Sequence, residues 1–143
     1  MMFPRIGNAA DKGFTIVYNV SGAVVTANYP VVWDVSSPDG IRVSKPATAT
    51  LSLLVGIATD NIANSQYGKV QCYGYRASAF ITNDTTVAIA AGDIMIPVDG
   101  QYYMARSAAS DGKSGFVYAG EAFLTAVTTL VAAANKKVFI RAV

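Results

Sequence analysis

The chain offers few side chains able to make or break bonds. Histidine is absent from its 143 residues, which removes imidazole as a general base, a partner for a nucleophile or a metal ligand. The acids are eight Asp and one Glu. Glycoside hydrolysis would need two carboxyls facing one cleft; Asp93 with Glu121 is a conceivable pair, but nothing around either residue singles them out. Most of the Asp fall at turns. Asp39 and Asp99 each precede Gly, and Asp84 follows Asn83. A short acid in such a place bonds its own backbone and shapes the turn. Asp60, Asn61 and Asn64 superficially resemble calcium ligands, yet lack the ligand density and closing Glu of a calcium loop. Gly68-Lys69 and Gly112-Lys113 stand outside any phosphate-loop pattern. The expectation is therefore no enzyme, no cofactor and no metal.

Tyrosine is the residue type that remains. Tyr67, Tyr73 and Tyr75 cluster, as do Tyr102 and Tyr103, among eight in all. Exposed on a β surface, they would stack on sugars or, beside a basic groove, on single-stranded bases. Packed in a core or at a subunit interface, the same amphipathic rings would serve as half-buried contacts, and this is the favoured reading.

The elements that must position these residues read as β. Tyr67-Gly68-Lys69-Val70-Gln71-Cys72-Tyr73-Gly74-Tyr75 belongs to the strongest strand pattern, Lys69 to Ile81, with a bend expected at Gly74. Phe14 to Val20, Val31 to Val35, Ile41 to Ser44, Ile94 to Val98, Phe116 to Val127 and Val138 to Val143 supply further strands. Val24 to Ala27 is a short one. Ser36-Ser37-Pro38-Asp39-Gly40 predicts a hairpin turn, and Asp99-Gly100 predicts a type I′ turn returning through Tyr102 and Tyr103. Leu51 to Ala58 fits a helical face in its first half and a buried strand around Gly56. Turn signals every 8 to 12 residues favour a barrel or sandwich over alternating βαβ units. The fold class is all-β, with room for one short helix.

Composition narrows the class further. The apolar fraction is 52% and the charged fraction only 14%, against a usual charged share of about 25%. So neutral a domain is better suited to an assembly than to life as a free monomer. The formal charge is +2, with basic residues scattered and only Lys136-Lys137 adjacent, which argues against nucleic-acid binding. Cys72 is alone and sits in an apolar strand, so it reads as a buried small hydrophobe. Met1 to Gly7 lacks the apolar run of a secretory signal, which leaves the acceptor patterns at Asn19-Val20-Ser21 and Asn83-Asp84-Thr85 with little weight. The apolar run Ala122 to Ala134 is too short to span a membrane. A soluble chain with no membrane partner is expected.

Several short motifs, in order, resemble the head-decoration (capsid cement) proteins of tailed bacteriophages. They are Trp33-Asp34, Val55-Gly56-Ile57-Ala58, Tyr67 to Gly74, Ala91-Gly92-Asp93, Gly120-Glu121-Ala122 and the terminal Val138-Phe139-Ile140-Arg141. The resemblance spans residues 14 to 143. The Ala126 to Asn135 segment and the tyrosine-rich centre depart from the family pattern. The resemblance implies a small β-barrel or β-tulip-like domain over 14–143, preceded by an N-terminal arm over 1–13. It implies homotrimers on the capsid surface of the virion, made in the host cytoplasm, that bind the major capsid protein and bridge neighbouring subunits. Phe3 and Ile6 are then expected to anchor the arm, with Tyr67, Tyr73, Tyr75, Tyr102 and Tyr103 at interfaces. The alternative expectation is a carbohydrate- or host-surface-binding module of a tail or fibre.

Overall fold

The computed structural model describes residues 11–82, 88–107, 116–123 and 134–142. The arm anchors Phe3 and Ile6 lie outside them, as do Asn83 and Asp84. Nine strands run in chain order: β1 (Gly13–Asn19), β2 (Pro30–Trp33), β3 (Arg42–Ser44), β4 (Leu54–Ala58), β5 (Tyr67–Ile81), β6 (Ile94–Pro97), β7 (Met104–Arg106), β8 (Val117–Ala119) and β9 (Ala134–Arg141). One turn of 3-10 helix, Thr48–Thr50, precedes β4. The domain is all-β, as expected.

Strand order is β1-β3-β2-β4-β5-β7-β6-β8-β9, with further pairings of β5 to β1 and to β9. These extra pairings close two five-membered circuits that share β5. The first half of β5 lies between β1 and β4, with Val70 opposite both Thr15 and Ala58. Its second half pairs with β9 from Tyr73–Arg141 to Ile81–Ala134, and meets β7 at Ile81–Met104. A single 15-residue strand thus serves both circuits. Sharing it spares each circuit an open edge on that side.

Each circuit encloses its own apolar cluster. Val17, Val25, Val31, Val43, Val55, Ala58, Ile62 and Val70 fill the first. The second holds Ile81, Ile89, Met95, Met104, Val117, Val138 and Ile140 among others. Strand β4 lies between them and is buried along its whole length, as its unbroken apolar run requires. A bulge sets its facing: Val31 pairs with Gly56 and Val32 with Leu54, leaving Val55 unpaired. An unpaired residue shifts the alternation by one, so Leu54 and Ile57 reach the second cluster while Val55 and Ala58 reach the first.

The two glycines of the Tyr67 to Tyr75 stretch have separate causes. At Gly74 the backbone has φ +93°, and a Cβ there would collide with the Asp11 carbonyl, because Asp11 and Lys12, just before β1, pass over this point. The bend lies where β5 exchanges β1 for β9. At Gly68 the Ile62 side chain lies on the bare backbone.

Three readings need correction. The Asp99-Gly100 turn is not type I′: only Gly100 has positive φ, and the strands first pair at Pro97–Met104. The loop is held open because the Gly100 amide donates to the Pro46 carbonyl at 2.9 Å and Tyr102 stacks on Tyr29. Val24 to Ala27 makes only a single bridge, Val25 to Ile62. Of the strand expected from Phe116 to Val127, only Val117–Ala119 forms among the described residues, with a single bridge from Phe123 to Ile89, and residues 124–127 lie outside them.

Candidate functional site

Strand β1 turns its larger apolar residues the wrong way for a core. Thr15, Val17 and Asn19 point inward, whereas Phe14, Ile16 and Tyr18 point outward, and Phe14 and Ile16 are 47% and 59% exposed. Register extends this face across the sheet. Ile16 pairs with Lys69 and Tyr18 with Tyr67, while Tyr75 pairs with Phe139. Tyr73 and Phe139 meet edge to face at 5.7 Å, and the Lys69 ammonium covers the Phe14 ring at 5.1 Å. The result is two exposed groups, Phe14, Ile16, Tyr18 and Tyr67 on β1 and the start of β5, and Tyr73, Tyr75 and Phe139 on β5 and β9. They are parted by the extra residue Cys72, which shifts the alternation between Phe14–Gln71 and Gly13–Tyr73. Clustered exposure of this kind marks a contact surface, where scattered single residues would not.

The structure therefore brings Tyr73 and Tyr75 beside Phe139 and sets Tyr67 apart from them, against Tyr18. It places Tyr102 and Tyr103 elsewhere. Tyr102 belongs to a stack in which Phe80, Tyr29 and Tyr102 follow one another at centroid spacings of 5.4 and 4.9 Å, under the Lys45 ammonium. Its hydroxyl is buried without a hydrogen-bond partner. Tyr103 is half-buried in the loop before β7. The motif reading missed Phe14, Ile16 and Phe139. A signal for Phe139 exists in the run Val138-Phe139-Ile140, since adjacent residues of a strand cannot all face one core.

At the Tyr67 end lies an open cleft of about 430 Å³, lined by Tyr18, Asp39, Ile41, Arg42 and Tyr67. The two rings are tilted against one another at 5.0 Å. Asp39 is fixed by its turn: its Oδ1 accepts the amides of Ile41 and Arg42, both at 2.9 Å, and its Oδ2 meets Arg42 Nε at 3.0 Å. The Arg42 amide, then that of Ile41, holds the Asp39 carboxyl below its ordinary value.

A second polar group sits where the circuits join. Gln71 is buried, and its amide nitrogen donates to the Tyr73 and Tyr75 carbonyls, spanning the bend at Gly74. Half-buried Arg76 donates to Asn28 Oδ1 at 2.6 Å, to the Ala58 and Ser78 carbonyls and, at 3.4 Å, to Gln71 Oε1. Burial lowers its pKa and the Asp60 carboxylate opposes the shift. Asn28 adopts φ +74°, and its backbone bonds both Ala58 and Phe80. Every acceptor here is a carbonyl or amide, so the group braces the bend and has no proton to transfer.

Other candidate chemistry is absorbed by structure. Asp93 Oδ2 pairs with Arg106 at 2.8 Å and accepts the Ala90 amide, while Glu121 accepts the Lys137 amide. Asn61 and Asn64 accept the amides of Ala27 and Gly22, and Asp60 accepts the Thr59 hydroxyl. Asn19 is fully buried, its amide nitrogen donating to Ala23 and Ile62, so it is closed to glycosylation in the folded chain. Cys72 is a buried free thiol. Among the described residues no three His, Cys, Asp or Glu gather as a metal site, and no helix is long and apolar enough to cross a membrane.

Neither the protein-family models nor the curated proteins contain a match to this chain. Among solved structures, the head fibre gp8.5 N base of bacteriophage phi29 is similar, with a TM-score of 0.55 and 15% identity over 92% of this chain and 96% of that one. The likeness is one of fold. It extends over both circuits, because so little of either chain is left out.

Proposed function

We propose that this chain is a structural protein of a phage virion that sits on the outside of the head. The observation that carries the proposal is the exposed apolar face of β1 and the start of β5 on a fold shared, over nearly its full length, with the base of a phage head fibre. The order of motifs resembling head-decoration proteins supports the same reading. In finer detail the protein acts as a cement: as a homotrimer it binds the major capsid protein and bridges neighbouring subunits of the mature shell. Each contact is individually modest and is repeated by symmetry, so avidity supplies the strength. Binding only the expanded lattice stabilises that lattice by mass action. The work is adhesion, and the side chains on this face suit adhesion rather than catalysis.

The test is to mix the full chain with heads of the phage that encodes it and to reconstruct the decorated particle. Density at local three-fold positions with the outward face of β1 toward protein is the expected result. A double variant, Phe14→Asp with Ile16→Asp, should keep the fold and lose most of its occupancy. Density on the tail, or undiminished occupancy by the variant, would overturn the reading.

A further inference from the structure

The cleft at the Tyr67 end of the face has a chemistry that adhesion to protein does not use. Tyr67 is the most exposed large hydrophobic side chain of the described residues, at 67%, and its ring is propped by Tyr18 at 5.0 Å. Neither phenol hydroxyl has a hydrogen-bond partner among the described residues. Beside them, Arg42 spends only Nε on Asp39, which leaves both terminal amino groups of its fork free to donate. The Asp39 carboxylate accepts two amides and is ion-paired with one guanidinium nitrogen, leaving about one of its roughly four acceptor positions open. Ile41 supplies an apolar wall.

We infer that this cleft binds a neutral pyranose oligosaccharide. A pyranose ring presents an apolar face of C–H groups and a rim of hydroxyls that both donate and accept. The Tyr67 ring is a platform for the first. The free Arg42 amino groups, the last Asp39 acceptor position and two phenol hydroxyls serve the second. The volume of about 430 Å³ lies within the usual range for small-ligand sites, about 300–1,000 Å³. Charge selects against other ligands: Asp39 opposes a phosphate, and its pairing with Arg42 leaves no net charge for a cation to seek. The donors and acceptors are also held before a ligand arrives, because the turn fixes Asp39 and Asp39 fixes Arg42, which limits the entropy lost on binding. The site does not depend on the head-surface reading.

The experiment uses the full chain in isolation, so it is independent of virion assembly. Maltotriose, cellotriose and triacetylchitotriose are titrated against the labelled protein while amide shifts are followed. At least one should move Tyr18, Ile41, Arg42 and Tyr67 together, and Tyr67→Ala should weaken that binding by roughly tenfold or more. Arg42→Lys keeps the charge and loses the fork, and it should weaken binding as well; it carries the test should Tyr67→Ala fail to fold. No response to any of the three at about 10 mM, which is well above a millimolar Kd, would overturn the inference. So would shifts centred elsewhere, or shifts that persist in both variants.

Discussion

At the residue scale, the polar groups of this protein chiefly hold backbone in place. Arg76 is the strongest case, since four acceptors from three separate segments converge on one guanidinium. Removing it takes that donor from the part-buried Ser78 carbonyl and Asn28 Oδ1, so Arg76→Ala should cost about 2–4 kcal/mol in chemical denaturation, while Arg76→Lys recovers only part of that. Asp39 makes a pH prediction. Its folded-state carboxyl is held below the ordinary 3.8, first by the Arg42 amide and then by that of Ile41. A depressed carboxyl contributes stability above its ordinary value and loses it as pH falls through the lower, folded-state value. The amide shifts of Ile41 and Arg42 should therefore titrate together below pH 3.8, and Asp39→Asn should abolish the step. These roles were only partly legible beforehand. Asp39 before Gly announced a turn, whereas nothing in the letters around Arg76 or Gln71 announced a brace. Their partners, Asn28 and Ala58, are distant in sequence and come near only through folding.

At the element scale, β4 shows how a bulge and one glycine decide facing. A Cβ on Gly56 would lie 2.1 Å from the Gln71 carbonyl oxygen, and that oxygen belongs to the shared strand and cannot retreat. Gly56→Ala should lose more than about 3 kcal/mol or fail to fold. Gly92 separates the two causes, since it has φ +93° with open space around its missing Cβ. Gly92→Ala should cost only the conformational part, about 1–2 kcal/mol, by thermal or denaturant melting. Strand β1 makes the opposite point about legibility. Its alternation was plain in Phe14-Thr15-Ile16-Val17-Tyr18-Asn19, but the inward set turned out to be Thr15, Val17 and Asn19. Period two fixes that two faces exist; which one is buried depends on the register with β5. Phe14 and Ile16 stand outward side by side with Tyr18 on this face, and that is the basis for the head-contact variant proposed above.

At the scale of the whole molecule, two apolar clusters hang on one strand. Neither circuit closes without β5, so the clusters should melt together although they are spatially separate. Ile140 belongs to the second cluster, and Trp33 packs against the first. Ile140→Ala should cost about 2–5 kcal/mol, and Trp33 fluorescence should report the same shifted midpoint as far-UV circular dichroism. Separate midpoints would mean that the circuits fold as independent units. By itself the sequence determined the β class, most strand positions, the turns at Gly40 and Gly74, the burial of Cys72 and the lack of an imidazole catalyst. Those follow from local periodicity, turn chemistry and composition. Only the tertiary structure decided that β5 is shared, that β1 exposes its apolar side, and that Tyr73 and Tyr75 lie beside Phe139 while Tyr67 meets Tyr18 and Tyr102 packs away from both. Each of these depends on strand register, and register is set by contacts between segments far apart in the chain.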